Sequence, residues 1–402
     1  MKPKEGEGAV VVSAVRTPIG KYGGVFRSVR PDDLAVAALK GAVEKAGIPK
    51  DIVDDVYFGC ANQAREDNRN VARMAVLLAG LPYTVPGATV NRLCGSGLEA
   101  VNDAARVIWS GEGDVVVAGG VESMTRAPLV MLKPEFSFPR GDVRLADTTI
   151  GWRLVNPKWG PEYPTISLGE TAENLAEKYS IGRVEQDEFA LRSHARAIQA
   201  TDSGKLSEEI MPIPTKESPG GVAVDEGPRR DTSMDKLARL KPSFKENGTV
   251  TAGNSSQISD GAAALVLMSE RKARELSLRP IARVLGGAVA GVHPSYMGLG
   301  PVPATKKLLS RLDLKIEDFD LVELNEAFAA QVLACFREMP EMAARNVNPD
   351  GGAIALGHPI GCSGAKLVVS LLHEMARTRA KRGLVTLCVG VGQGIATAFE
   401  AL

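Results

Sequence analysis

The chain alternates short apolar runs with longer stretches whose apolar residues recur every third or fourth position. Residues 9–14, 53–59, 85–90 and 114–119 are runs of the first kind, the last reading Asp114-Val115-Val116-Val117-Ala118-Gly119. Runs this short, bounded by turn residues, predict strands buried on both faces. Between them lie helical stretches. One begins at Pro31-Asp32-Asp33, where the acids suit a first helical turn, continues to about residue 45 and stops at Gly47. A second covers residues 70–80, and in a third Leu98, Val101, Ala105 and Ile108 recur at helical spacing up to Trp109. Strands and helices alternating at these lengths predict βαβ units and a parallel sheet.

The pattern breaks at residues 123–247. Pro128, Pro134, Pro139, Pro157, Pro161 and Pro164 cluster among charges, and only two helices stand out, at 170–179 and 185–201. This predicts an inserted lid carrying binding work rather than a third sheet. Regular texture returns at Thr249. Residues 262–268 read as a strand followed by a short helix to Leu276, 283–290 as the opening of another βα series, 303–312 and 327–339 as helices, and 319–324 as a strand.

The second series repeats the first. Asp54-Asp55-Val56-Tyr57-Phe58 resembles Phe319-Asp320-Leu321-Val322-Glu323. Cys94-Gly95-Ser96-Gly97-Leu98 resembles Cys362-Ser363-Gly364-Ala365-Lys366, and residues 113–119 resemble 383–389. All three separations fall at 265–270 residues, so the chain reads as a duplicated α/β half. The expected division is 1–122 with 248–279 as one half, 280–402 as the other, and 123–247 as an inserted loop domain. A length of 402 residues with 44% hydrophobic content fits two such cores.

Charge and cysteine usage narrow the function classes. The 48 basic and 48 acidic residues cancel, which offers nothing to nucleic acid or an anionic membrane. Five cysteines without CxxC spacing argue against disulfides and structural zinc, and fit a reducing cytoplasm. Residues 1–8 are polar, no apolar run reaches membrane-spanning length, and Phe399-Glu400-Ala401-Leu402 is not a peroxisomal address.

Candidate chemistry gathers at glycine-flanked turns. Cys94 lies between the apolar run 85–90 and a helix, with glycines at 95 and 97 allowing a sharp turn. A helix N-terminus favours thiolate over thiol, so Cys94 reads either as a nucleophile or as a buried cysteine beside a tight turn. In the second half, Asn325 follows a strand, His358 lies in Gly357-His358-Pro359, and Cys388 ends an apolar strand. Strand C-terminal ends converge on one edge of an α/β sheet, which could bring these residues to Cys94. Each has a plainer reading: Asn325 as a helix cap, His358 as a turn histidine, Cys388 as core. Cys362 suits tight packing as well as function. Cys60 and Cys335 lie on apolar faces and are expected in the core. His194 and His373 lie among charges and are expected at the surface. His293 lies in a loop with no assigned role.

The motifs together resemble those of thiolases, the acetyl-CoA acyltransferases. They are Val90-Asn91-Arg92-Leu93-Cys94-Gly95-Ser96-Gly97, Gly119-Gly120-Val121-Glu122-Ser123-Met124 and Asn325-Glu326-Ala327-Phe328. Further on come Asn348-Pro349-Asp350-Gly351-Gly352-Ala353-Ile354-Ala355-Leu356-Gly357-His358-Pro359 and Cys388-Val389-Gly390-Val391-Gly392. The resemblance runs over nearly the whole chain. It implies the five-layer α-β-α-β-α thiolase fold with an inserted loop domain, assembled as a homodimer or homotetramer.

It also implies roles. Cys94 resembles the acyl-accepting nucleophile, His358 its base, and Cys388 the second acid/base at the substrate's α-carbon. Asn325 resembles the residue that, through a water, joins His358 at the enolate oxygen. The N–H groups of Cys94 and Gly390 resemble an oxyanion hole. Coenzyme A enters as substrate, with no permanently bound cofactor and no metal. Arg229 is expected near its nucleotide, Ser256 and Ala252 along its pantetheine, and Phe244, Met297 and Phe328 around the thioester tunnel.

Short-chain biosynthetic thiolases commonly carry His-Met where this chain has Ser167-Leu168, and glycine where it has Val391. Segment 147–153 is more similar to degradative or β-ketoadipyl-type members. The expectation is a broad 3-ketoacyl-CoA thiolase working in cleavage, placed in fatty-acid β-oxidation with possible partner enzymes. A short-chain acetoacetyl-CoA thiolase acting in synthesis, a carrier-protein ketoacyl synthase and a non-catalytic CoA-binding subunit are the alternatives. The synthase would be expected to show a second histidine where this chain has Asn325 or Cys388.

Overall fold

The computed structural model describes residues 8–402, so the polar segment at 1–8 lies almost wholly outside the described residues. In the first half the main strands are β1 (Ala9–Arg16), β2 (Asp55–Gly59), β3 (Ala88–Val90), β4 (Val115–Ser123) and β5 (Ser259–Ser269). In the second they are β6 (Ala282–Gly291), β7 (Leu321–Leu324), β8 (Asn346–Val347), β9 (Arg382–Val389) and β10 (Gln393–Ala401). The principal helices are α1 (Pro31–Ala46), α2 (Val71–Leu78), α3 (Ser96–Ser110), α4 (Leu168–Lys178), α5 (Arg183–Asp202), α6 (Pro301–Leu312), α7 (Ala329–Glu338) and α8 (Ile360–Thr378).

The strands run in the order β8-β7-β9-β10-β6-β1-β5-β4-β2-β3. Outward from the β6–β1 seam, each half repeats one order. First, third and fifth neighbours correspond as β1 to β6, β4 to β9 and β3 to β8, which is the duplication the sequence repeats pointed to. The seam itself is two antiparallel pairs, Val10 with Arg283 and Val11 with Ala282.

The sheet is mixed, not parallel as the alternation predicted. β2 is parallel to β3 and β4, and β7 to β8 and β9. The pairs β4–β5, β5–β1, β9–β10 and β10–β6 are antiparallel. The reason is connection length. Only Gly390, Val391 and Gly392 join β9 to β10, too few for the crossover a parallel pair requires.

Helices cover the sheets in layers. α1 and α2 pack on the outer face of the first half, where Leu34, Leu39, Val43, Phe58 and Val266 share one core. α6 and α7 cover the second half around Leu308, Phe319, Leu324 and Val332. α3 and α8 lie between the sheets, burying Leu98, Val101, Leu265, Val368 and Phe399. Two glycines let these central helices touch. A Cβ on Gly97 would stand 2.7 Å from the Ala365 nitrogen, and one on Gly364 2.3 Å from the Leu98 nitrogen. Five layers, α-β-α-β-α, result.

The excursion between β4 and β5 contributes Ala172, Leu175, Ile181 and Phe189 to the second half's core. α4 starts two residues before the expected 170 because Ser167 and Glu170 form a capping box. A small sheet of Leu129–Val130 with Ala146–Asp147 is present in this excursion, where none was expected. α7 starts at Ala329 rather than 327, because the preceding residues pair elsewhere. Ser256 N–H donates to the Ala327 carbonyl at 2.9 Å and Ala329 N–H to that of Asn254 at 2.9 Å. Among the described residues, no helix is long and apolar enough to cross a membrane.

Candidate active site

Cys94 stands in a locked turn between β3 and α3. Leu93 adopts φ 45°, unusual for a branched residue. Local bonds hold it there: Asn91 Oδ1 accepts from Leu93 N–H at 3.0 Å, and Ser96 Oγ accepts from Arg92 N–H at 2.9 Å while donating to the Leu93 carbonyl at 2.6 Å. Cys94 falls in the 3-10 turn Leu93–Gly95, and the α-helix proper begins at Ser96.

Burial works against the thiolate that the helix terminus would favour. Burial pushes the Cys94 thiol up to about 11 and outweighs the helix terminus, while the N–H groups of Gly390 and of Cys94 itself, hydrogen-bonded to the sulfur, pull the other way. These two N–H groups are the pair expected to form an oxyanion hole, and both converge on one atom.

His358 follows Gly357, whose φ of 104° and closeness to Ser259 exclude a side chain. The imidazole is 7% exposed and burial pushes it down to about 4, so it rests neutral. Ser363 fixes its tautomer. Ser363 Oγ lies 2.9 Å from the Pro359 carbonyl, which can only accept, and 2.5 Å from His358 Nδ1. The single hydroxyl proton goes to Pro359, so Nδ1 carries a proton and donates to Ser363, leaving the lone pair on Nε2. Asn325 Nδ2 approaches that nitrogen at 3.4 Å.

Asn325 is therefore not a helix cap. It leaves the end of β7 with its N–H on the Thr386 carbonyl at 3.1 Å. Behind it, Asn348 bonds the Leu324 N–H, the Leu324 carbonyl and Glu326, which also accepts from Ser193. Of these, Asn348 and Glu326 were legible only as members of the quoted motifs, and Ser193 lies outside them. Cys388, one residue before the end of β9, is 1% exposed. Burial, and next the proximity of Cys94, holds its thiol well above the ordinary range.

Two cavities meet at Cys94. The larger, about 550 Å³, has Cys94, His358 and Cys388 in its wall together with all six residues expected along CoA: Arg229, Phe244, Ala252, Ser256, Met297 and Phe328. Phe244 and Phe328 stand edge to face, 5.9 Å between ring centres. Arg229 and Ala252 also border a polar cavity of about 210 Å³ with His194, Thr232 and Lys236. The smaller cavity at Cys94, about 170 Å³, is bounded by Leu93, Met124, Leu168, Gly390, Val391 and the segment 148–153. Asn325 borders neither of the two cavities at Cys94, standing behind His358.

The other cysteines and histidines separate from the site. Cys60, Cys335 and Cys362 are fully buried, and all five cysteines are free thiols. His194, expected at the surface, is buried at 3% exposure and accepts the Arg229 N–H at 3.1 Å. It falls on the face of α5 that packs inward, which the charges flanking it concealed. His373 is also not at the surface but half-buried against the Ala14 carbonyl and Lys45. His293 caps the turn Pro294–Leu299 through the Ser295 N–H.

A buried thiol that receives two N–H groups, with a neutral imidazole and a second thiol in the wall of the same cavity, is an arrangement able to carry an acyl group on sulfur. The chain matches the description "Thiolase, N-terminal domain" over residues 9–271 and "Thiolase, C-terminal domain" over 278–401. It belongs to the thiolase family, CoA-dependent acyltransferases. It is 54% identical over 394 residues to a "Beta-ketoadipyl-CoA thiolase" of Pseudomonas aeruginosa, covering 97% of this chain and 98% of that one. It is 53% identical over 398 residues to a "3-oxoadipyl-CoA/3-oxo-5,6-dehydrosuberyl-CoA thiolase" of Escherichia coli, covering 98% and 99%. Among solved structures, the Bacillus anthracis acetyl-CoA acetyltransferase matches with TM-score 0.91 at 46% identity, covering 98% of this chain and 99% of that one. Human mitochondrial 3-ketoacyl-CoA thiolase matches with TM-score 0.92 at 39% identity over the same shares.

Proposed function

We propose that the chain cleaves a 3-oxoacyl-CoA with CoA through an acyl-Cys94 intermediate. The observation that carries this reading is the meeting of two cavities at Cys94, one suited to CoA and one to the acyl group. As the Cys94 proton passes to His358 Nε2, sulfur attacks the 3-oxo carbon, and the resulting oxyanion is met by the N–H groups of Cys94 and Gly390. The C2–C3 bond then breaks. The electron pair goes to C2, the enolate of acetyl-CoA is held by His358 and a water on Asn325, and Cys388 gives C2 its proton. The thiol of CoA then gives its proton to the Cys388 thiolate and attacks the acyl-Cys94 carbonyl, and the proton held on His358 returns to the Cys94 sulfur as it leaves.

The names of the relatives favour 3-oxoadipyl-CoA as substrate, which would place the enzyme in degradation of dicarboxylic acyl-CoAs rather than in fatty-acid β-oxidation. The size of the smaller cavity supports short acyl groups over the long chains the sequence also admits. The halves 1–122 with 248–279 and 280–402 supply the catalytic groups, and 123–247 acts as the loop domain over CoA. Five free thiols fit a cytoplasmic setting. The hairpin around Leu129–Val130 and Ala146–Asp147 exposes Leu129, Met131, Leu132, Phe136 and Phe138, an apolar surface that supports self-association as a dimer or tetramer.

Mass spectrometry after incubation with acetyl-CoA tests the reading. An acetyl adduct on Cys94 is expected, absent in Cys94→Ala and retained in Cys388→Ala, with Cys388→Ala blocked in carbon–carbon cleavage. Equal loss of acylation in both variants would refute the division of labour between the two thiols. A protein that binds CoA yet never acylates would be a binding subunit.

A further inference from the structure

We propose that Arg153 reads a carboxylate at the far end of the acyl group carried by Cys94, so that the preferred substrate has a short acyl half ending in a carboxyl group. The inference rests on the thiolase reading above and adds the group that recognises the acyl terminus.

Among the cavities bordered by Cys94, the smaller one is left for the acyl half once CoA fills the larger. At about 170 Å³ it holds about six water-sized groups of roughly 30 Å³ each, the scale of a four-carbon acyl group and far below a long fatty chain. Its wall near the sulfur is apolar, with Leu93, Met124, Leu168 and Val391. Val391 is held at φ 63° in the turn between β9 and β10, so its branched side chain is fixed against this space. An apolar wall alone would select alkyl chains.

Besides Cys94, two ionisable groups border the cavity, and they differ. Glu122 is buried, and its oxygens already accept N–H groups from Ala61, Asn62 and Gly361. Burial pushes its carboxyl up to about 7, which weakens its repulsion of an anion. Arg153 is exposed, on the solvent side of the same cavity. Its one polar contact is 3.4 Å to the Gly151 carbonyl in its own loop, and among the described residues it has no carboxylate within 4 Å. The nearby acid, Asp147, accepts the hydroxyl and N–H of Thr149 on Oδ1 at 2.6 and 2.8 Å; these bonds, with a smaller contribution from the Arg153 charge, hold its carboxyl below the ordinary range, but it forms no ion pair with Arg153 within 4 Å.

The loop that carries Arg153 is anchored rather than free. Asn62 Nδ2 donates to the Thr148 hydroxyl at 2.9 Å, that hydroxyl donates to the Pro128 carbonyl at 2.6 Å, and Trp152 Nε1 donates to the Ile166 carbonyl at 3.1 Å. A guanidinium with no ion pair within 4 Å among the described residues, held by a tied loop at the border of a small apolar-walled cavity, is complementary to a carboxylate. The planar fork offers two parallel N–H donors to it. The carboxylate takes no part in bond making. It stays ionised through both half-reactions, while the C2–C3 bond breaks and the Cys94 thioester forms and is released to CoA.

The experiment compares kcat/KM for thiolysis of 3-oxoadipyl-CoA and of 3-oxohexanoyl-CoA, which has the same chain length and a methyl end. The wild type is expected to favour the carboxylate substrate. R153M should lower that preference about 10–100-fold, the worth of a charge-assisted hydrogen-bonded pair, and R153K should retain part of it. Added salt should lower the wild-type preference too, a readout independent of how well the variants fold, since the CoA charges are common to both substrates and cancel in the ratio. An unchanged preference in R153M, or a wild type that treats both substrates alike, overturns the role of Arg153 and leaves the thiolase reading standing. A wild type that cleaves no 3-oxoacyl-CoA overturns the thiolase reading itself.

Discussion

The protonation state of Cys94 at rest can be tested by varying pH and following S-alkylation of the Cys94 peptide with iodoacetamide by mass spectrometry. Burial raises the thiol from an ordinary 9.0 to about 11 and lowers the His358 imidazole from 6.5 to about 4. Both shifts oppose a thiolate–imidazolium pair. The thiol shift alone disfavours the thiolate by about 2.7 kcal/mol, so at neutral pH roughly one molecule in ten thousand carries it, about a hundredfold fewer than for an exposed thiol. Because only the thiolate is alkylated, the logarithm of the rate should climb about one unit per pH unit from pH 6 towards 10, with no shoulder on the acid side. A plateau of full reactivity between about pH 5 and 8 would mean a preformed ion pair and refute the argument from burial. In the proposed mechanism, a neutral pair at rest would have His358 take the proton only as sulfur reaches the carbonyl carbon, when the N–H groups of Cys94 and Gly390 would have an oxyanion to meet.

Two further outcomes follow from buried contacts. Ser363→Ala removes the 2.5 Å partner that keeps the proton on His358 Nδ1, so kcat should fall about tenfold with KM little changed, and the pH profile of acylation should shift. A fall in KM alone would speak against a tautomer role. Arg16 is fully buried and bonds Glu209 at 2.6 Å and Asp225 at 2.7 and 2.8 Å, so Arg16→Met should cost about 3–5 kcal/mol in thermal or denaturant unfolding by leaving two acids unpaired. Burial raises the Glu209 carboxyl, but Arg16, Lys366 and His373 together hold it below its ordinary 4.5. Its contribution is therefore present above that value and lost as pH falls through the lower folded one, and the gap between wild type and Arg16→Met should shrink below about pH 4.5.

Buried strands and the repeat were legible because they are local. The run ending at Gly119 is a strand in a sheet's interior, and three matched segments correspond to strands and turns in equivalent places. Pairing direction was not legible, since it depends on which strands a tight turn joins, and the turn at Gly390, Val391 and Gly392 looks like many glycine-rich loops. All six residues expected along CoA border one cavity, although only Phe328 lies in a quoted motif and the other five rest on the family resemblance. Burial could not be read at His194, where charged neighbours on the exposed face of α5 masked an inward position. The same holds for Cys94. A helix terminus is visible in sequence as a favourable site for an anion, but the desolvation that outweighs it is set by β9, β10 and the excursion folding over it. Ser363 and Arg153 fall in quoted stretches without a role, because a tautomer and a cavity wall exist only once distant segments meet.

One unequal connection gives the two equivalent cysteine turns of the duplicated fold different surroundings. The halves carry equivalent turns at Cys94 and Cys362, each opening a central helix. Across from Cys94, the second half joins β9 to β10 through three residues, which brings the Gly390 N–H to the sulfur and Val391 to the acyl cavity. The first half joins β4 to β5 through the long excursion, which supplies Leu168 and residues 148–153 to one cavity and Phe244 and Arg229 to the other. Both connections thus build walls around Cys94. Cys362, with α3 packed against the start of α8, is fully buried and borders neither cavity. Burial pushes its thiol up to about 12, the charges of Arg16 and Lys366 opposing this only in part. If excess burial is what silences Cys362, it should resist iodoacetamide at pH 9 under conditions that label Cys94, and be labelled only on unfolding. Labelling of both at similar rates in the folded protein would mean that the two turns differ less than their surroundings imply.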